Sequence, residues 1–135
     1  MDMNVRPIAV EVFETEPVLR LIGGKHRDSG RVVFPFPTRD QEFERFYLPG
    51  SGTLWSYTIQ RFAPKAPPYK GIEPFQPFAV GYIELAGACI VESRLSVPHF
   101  EELRLGMRMQ LTTQLLYIDA AAQHVMTYAF QPEPT

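Results

Sequence analysis

From Gly52 onward, apolar and polar residues alternate with a period of two, the spacing of strands that bury one face. Thr53-Leu54-Trp55-Ser56-Tyr57-Thr58-Ile59 sets Trp55, Tyr57 and Ile59 on one side, where the barrel core takes them. A second run, Ala79 to Leu85, passes through Ala86-Gly87 into a third, Ala88 to Leu95. The pair reads as a hairpin with Cys89, Val91 and Leu95 sharing a face. Leu105, Met107, Met109 and Leu111 alternate with Gly106, Arg108, Gln110 and Thr112, and the strand continues through Leu115-Leu116-Tyr117-Ile118. A turn from Asp119 to Gln123 leads into the last run, His124 to Phe130. Between the third and fourth runs, Ser96-Val97-Pro98-His99-Phe100-Glu101-Glu102-Leu103 has a capping residue, an early proline and an acidic first turn, which predicts one short helix.

Pro49-Gly50-Ser51-Gly52 is the clearest boundary, and the chain before it is punctuated differently. Val18-Leu19-Arg20-Leu21-Ile22 and Arg31-Val32-Val33-Phe34 flank Gly23-Gly24 and Arg27-Asp28-Ser29-Gly30, which predicts a hairpin closed by a glycine turn. Pro35-Phe36-Pro37 stops it, and Arg39 to Leu48, with Gln41, Glu42, Phe43, Glu44 and Phe46, reads as a helical turn. Five strands with a helix between the third and fourth is the order of an OB-fold, a small partly open barrel. The expected class is therefore all-β: a five-stranded OB-fold barrel over residues 49–135, preceded by an N-terminal extension over residues 1–48 that carries the hairpin.

Composition narrows the function. Thirteen prolines and nine glycines in 135 residues oppose long helices, and 45% hydrophobic residues suffice for one core. A formal charge of −2 lacks the basic balance of a dedicated nucleic-acid binder. No apolar run approaches the roughly 18 residues of a membrane helix, and Met1 to Pro7 has no secretory apolar core, so no membrane partner and a cytoplasmic location are expected. Cys89 is the single cysteine, which excludes an internal disulfide.

Read together, the runs resemble the acyl-CoA-associated OB-fold family, formerly a domain of unknown function, in which a zinc ribbon precedes an OB-fold. The resemblance runs from about Leu19 to Pro132. Its carriers are Leu21-Ile22-Gly23-Gly24, Gly30-Arg31-Val32-Val33-Phe34-Pro35, Gly52-Thr53-Leu54-Trp55-Ser56-Tyr57-Thr58, Pro77 to Leu85, Leu105-Gly106-Met107 and Tyr128-Ala129-Phe130. It implies a non-catalytic accessory subunit that supports a thiolase-like or hydratase-like enzyme acting on CoA thioesters. An acyl-CoA is then a possible ligand, and the chain belongs in a hetero- or homo-oligomer. The family's ribbon carries C-x-x-C knuckles, and a structural zinc site needs four Cys or His ligands. Here the hairpin has His26 and Ser29, and Pro35 to Leu48 contains neither Cys nor His, so the ribbon is degenerate and metal-free, and no cofactor is expected.

The candidate site follows from charge. From Phe46 to Ile72 there is no acidic residue, yet Arg61, Lys65 and Lys70 fall there, in a proline-rich link between the first and second barrel strands. That link shapes the ligand mouth of OB-folds, and prolines such as Pro67 pre-order it. Lys and Arg suit the phosphates of CoA, while Tyr69, Phe75 and Phe78 suit its adenine or pantetheine arm. Three readings stay open for this segment: contact with CoA, docking onto a partner subunit, or a plain linker. A second basic cluster, Arg20, Lys25, His26, Arg27 and Arg31, is first of all a solvated hairpin face.

Other classes fare worse. Cys89, His99 or His124, and Asp119 supply the residue types of a nucleophile set, but no spacing joins them and Cys89 reads as a buried thiol. There is no phosphate-binding glycine motif. A single-stranded nucleic-acid binder would stack bases on Trp55, Tyr57 and Tyr82, which the barrel core claims instead. A purely structural scaffold would use Phe34, Phe36, Phe43 and Phe46 as interface anchors.

Overall fold

Val91, Ser93 and Leu95 turn inward from one strand while Ile90 and Glu92 face out, and the same parity governs its neighbours. The computed structural model describes residues 5–7, 12–61 and 76–134. Five strands build the barrel: β6 (Ser51–Gln60), β7 (Phe78–Glu84), β8 (Ile90–Leu95), β9 (Arg108–Ile118) and β10 (His124–Pro132). β6, β7 and β8 form an antiparallel meander. β10 joins β8 in parallel through Ala129↔Arg94 and Phe130↔Leu95, and pairs with β9 antiparallel. The ring closes where Ser51 to Thr53 of β6 face Gln110 to Arg108 of β9. This is the OB-fold, as the order of runs predicts. A short strand, β1 (Val5–Pro7), extends β10 in parallel.

The barrel interior is filled by Leu54, Ile83, Val91, Met109 and Phe130, all fully buried, and Leu103 belongs to the same cluster. The helix expected over Ser96 to Leu103 is reduced to a single 3-10 turn, Phe100–Glu102. Its ends are occupied elsewhere: the Ser96 N–H pairs with the Phe130 carbonyl, and Leu103 is extended and drawn into the core. The fourth run also starts later than its alternation implies. Arg104 to Met107 is a turn, closed by the Met107 N–H on the Arg104 carbonyl (3.2 Å), so Leu105 stays on the surface.

The chain before the barrel forms a second, smaller sheet. β3 (Arg20–His26) lies at its centre, flanked by β2 (Phe13–Glu14), β4 (Val32–Val33) and β5 (Phe43–Tyr47). Gly23-Gly24 therefore lies inside a strand, and the hairpin turn is made by residues 27–30, with Gly30 at φ 77°. A Cβ on Gly24 would sit 2.8 Å from Pro37 Cδ, so glycine there lets the Pro35-Phe36-Pro37 stretch fold across β3. The helical turn expected from Arg39 to Leu48 is a strand instead. Asp40 Oδ1 accepts the Glu42 N–H (2.9 Å) in a side-chain-closed turn, after which Phe43 to Tyr47 pair with His26 to Ile22. Aromatic residues at a half-buried pleat favour that outcome over helix.

Phe34, Phe36, Phe43 and Phe46 are not free anchors. Phe43 is buried, Phe34 and Phe46 pack on the core, and Phe36 closes over Gly24. Tyr128 of β10 meets both Phe34 (5.6 Å, 90°) and Phe13 (5.9 Å, 68°) edge-on, so aromatic contacts join the two sheets. Phe13, Leu21 and Leu48 belong to the same apolar cluster as the barrel residues.

The Tyr128 hydroxyl donates to the Glu92 carbonyl (2.9 Å), bridging β10 to β8. Burial, and then the Glu92 carboxylate, push its pKa up from 10.0 to about 12. Because the folded state favours the neutral phenol, this contribution to stability is complete below pH 10 and is lost as pH rises from there through about 12. A phenolate absorbance titration should show one tyrosine ionising only near pH 12, and Tyr128→Phe should remove that step. The lost hydrogen bond should lower stability by about 1 kcal/mol.

Candidate functional site

Three exposed large apolar side chains, Trp55, Tyr82 and Ile90, stand on the outer face of β6, β7 and β8. Cross-strand register sets Ser56, Tyr82 and Glu92 side by side, with Glu84 and Ile90 paired in the next row. Trp55 reaches this face through a bulge: Leu54 pairs with Ile83 and Ser56 with Tyr82, leaving Trp55 as the extra residue. The inserted residue shifts the parity, so Gly52 and Leu54 point inward before it and Tyr57 and Ile59 after it. Trp55 (60% exposed) and Tyr82 (42%) then lie outside, edge-to-face at 6.4 Å, with Ile90 (46%) beyond. Trp55 and Tyr82 are thus not core residues, contrary to the sequence expectation. Tyr57 does turn inward but is only partly covered, its hydroxyl 3.5 Å from the Leu103 carbonyl. An open hollow of ≈ 370 Å³ runs between Ser56, Thr58, Gln60, Val80, Tyr82 and Glu92. A second, of ≈ 360 Å³, opens where β8 and β10 diverge beside Tyr128.

Two residues of the charge-derived candidate site lie among the described residues. Arg61 is exposed at the end of β6, and Phe78 starts β7 opposite Gln60, with the Arg94 guanidinium 3.7 Å above its ring. Lys65, Pro67, Tyr69, Lys70 and Phe75 lie outside the described residues. The Gln60↔Phe78 pairing means that the link between β6 and β7 leaves and re-enters at one end of the barrel. The second basic cluster is largely engaged within its own sheet. Arg20 binds Glu14 (2.7 Å), Arg27 meets Glu44 (3.6 Å), and Lys25 and Arg31 lie over Phe46 and Phe43.

The family model described as "ChsH2, C-terminal OB-fold domain" matches residues 47–114, from the end of the small sheet into β9. The chain belongs to this OB-fold family. A DUF35 domain-containing scaffold protein of Pyrococcus furiosus is 27% identical over 119 residues, 84% of this chain and 83% of the relative. One of the same name from Methanocaldococcus jannaschii is 26% identical over 120 residues, 84% and 81% of the two chains. A solved structure described as "Ltp2-ChsH2(DUF35) aldolase" shares the fold, with TM-score 0.58 over 84% of each chain at 19% identity.

For a zinc ribbon ahead of the OB-fold, the residues present do not fit a metal. The one imidazole at the tip, His26, already uses Nδ1 to accept the N–H groups of Asp28 (3.3 Å) and Ser29 (3.1 Å). An accepting Nδ1 leaves the proton on Nε2, which faces Glu42 Oε2 at 3.4 Å. The ring packs edge-on against Phe43 (5.1 Å), and the Arg27 N–H and Nε reach the Glu42 and Gln41 carbonyls. Among the described residues no three His, Cys, Asp or Glu gather in a metal-holding group. His26 thus clasps the two turns that a metal would otherwise tie together. His26→Ala should cost about 1–2 kcal/mol of stability in thermal denaturation, whereas a chelator should leave the wild-type midpoint unchanged.

Of the residues of a nucleophile set, Cys89 packs against the core and Asp119 shapes a turn. Burial pushes the Cys89 thiol up, away from the reactive thiolate, and no hydrogen bond joins it to a histidine among the described residues. Asp119 Oδ1 accepts the Ala121 and Gln123 N–H groups (both 2.9 Å) and shapes the β9–β10 turn. Trp55 was missed because the bulge hides in a run read as regular, and the signal that could have found it is the adjacent apolar pair Leu54-Trp55. For Tyr82 the signal was its place between the inward Gly81 and Ile83.

Proposed function

We propose that this chain is a non-catalytic accessory subunit of a cytoplasmic enzyme that processes acyl-CoA thioesters. The carrying observation is the alignment with relatives named scaffold proteins across 84% of the chain, a span that takes in both the small sheet and the barrel. An exposed aromatic face and the structural use of Cys89 and Asp119 agree with a protein that works by holding rather than by reacting. The family resemblance directs the partner toward a thiolase-like or hydratase-like enzyme, and the ligand toward an acyl-CoA. On this reading Arg61, Lys65 and Lys70 supply cations for the phosphates, and Tyr69, Phe75 and Phe78 pack the organic arm. Pro67 limits the freedom lost on binding. Residues 1–48 and 49–135 are taken as an extension and a barrel domain of one subunit, joined by β1 on β10 and by one shared apolar cluster.

Outward Trp55 and Tyr82 also favour a base-stacking platform, but Glu84 and Glu92 on the same face repel phosphates. Purification of the tagged chain from its native host tests the proposal. An acyl-CoA enzyme in fixed stoichiometry is the expected companion. Elution of the chain alone, or with nucleic acid, would overturn the reading.

A further inference from the structure

Several aromatic rings of this chain are capped by its own cations. Guanidinium groups lie over Tyr47 (Arg20, 3.6 Å) and Phe78 (Arg94, 3.7 Å), Lys25 over Phe46 (5.3 Å) and Arg31 over Phe43 (5.6 Å). On the barrel wall Phe78 carries such a cap, whereas the exposed pair Trp55 and Tyr82 does not. Their rings touch each other at 6.4 Å, and no cation covers either among the described residues. Beside them stand Glu92, paired across strands with Tyr82, and Glu84, paired with Ile90. Both carboxylates are exposed and form no ion pair among the described residues. The surface thus joins two features that favour a cation, aromatic faces and adjacent carboxylates.

We infer that this face docks an arginine-bearing segment of the partner protein, a proposal that rests on the accessory-subunit reading. A guanidinium stacked on Trp55 or Tyr82 recreates from outside the arrangement that Arg20 and Arg94 make within the chain. Its planar fork can meet Glu92 or Glu84 bidentately at the same time, which an ammonium cannot do. Ile90 then offers an apolar contact at the edge. The bulge is what puts Trp55 and Ser56 on one face beside Tyr82, since strict alternation back from the inward Tyr57 and Ile59 would turn Trp55 to the interior.

Trp55 is the single tryptophan of the chain and reports directly on its own surface. The full chain is titrated with a synthetic peptide, acetyl-Leu-Arg-Gly-Arg-Leu-amide, with its lysine and glutamate counterparts and with a short oligothymidylate. The arginine peptide should shift the emission saturably, with the lysine peptide weaker and the acidic peptide and oligonucleotide silent. Glu92→Gln, Glu84→Gln and Tyr82→Ala should each weaken binding, by about tenfold for the most involved residue. All three side chains are exposed, so unchanged thermal midpoints should verify the folds. No saturable response, a response indifferent to all three substitutions, or a stronger response to the oligonucleotide would overturn the inference. If an acyl-CoA enzyme still co-purifies in that case, the docking face is wrong and the accessory role survives. If the peptide binds at this face but no enzyme co-purifies, the accessory role is what fails.

Discussion

Phe130→Ala is expected to lower the stability of the chain by about 3–5 kcal/mol, the range for deleting a buried phenylalanine. Phe130 is fully buried on β10, the strand that pairs with β8 in parallel through Leu95 and with β9 antiparallel through Leu111. Its carbonyl also accepts the Ser96 N–H (2.8 Å), tying the 96–103 connection to the barrel. A cavity there has little means of collapse, because strands on both sides are held in register. Against a total stability of about 5–15 kcal/mol, the loss leaves the variant marginal. Urea denaturation measures it: the midpoint should fall with the slope preserved. A loss below about 1 kcal/mol would mean that the ring does not fill the core described here.

The double variant Lys65→Ala, Lys70→Ala should bind acyl-CoA at least tenfold more weakly than the wild type in calorimetric titration. Each charge-assisted contact to a phosphate contributes about 1.5–3 kcal/mol, and about 1.4 kcal/mol corresponds to a factor of ten. The wild-type affinity should also fall with added salt, since such contacts at a surface are screened over roughly 10 Å at moderate ionic strength. Equal affinity of the two proteins would assign the segment to partner docking or to linkage. Absence of heat from the wild type would remove direct CoA contact and leave the scaffold role standing.

Much of the barrel was legible because its strands carry their own parity. Ala79, Gly81 and Ile83, then Val91 and Leu95, state the inward face of the β7–β8 hairpin, and Ala86-Gly87 states its turn. The Trp55 bulge was not legible: Tyr57 and Ile59 face inward as their alternation implies, but one extra residue in the ladder leaves Trp55 on the outside, with no marker beyond the Leu54-Trp55 pair. β5 was misread for a different reason. Its many charged neighbours from Arg39 to Arg45 mimic a helical surface, and the partner that makes it a strand, β3, lies some twenty residues earlier. Gly23-Gly24 looks like a turn locally, but its purpose is to let Pro37 and Leu48 approach β3. The shortage of ribbon ligands is plain from the count of cysteines and histidines, whereas the His26 clasp depends on backbone groups that no residue pattern announces.

Turnover of an acyl-CoA thioester by three preparations tests the accessory role most directly: the chain alone, the co-purified enzyme stripped of it, and the two recombined. The chain alone should show no turnover, and recombination should restore activity or complex stability that the stripped enzyme has lost. Turnover by the chain alone, or an enzyme indifferent to its presence, would contradict the role assigned to it.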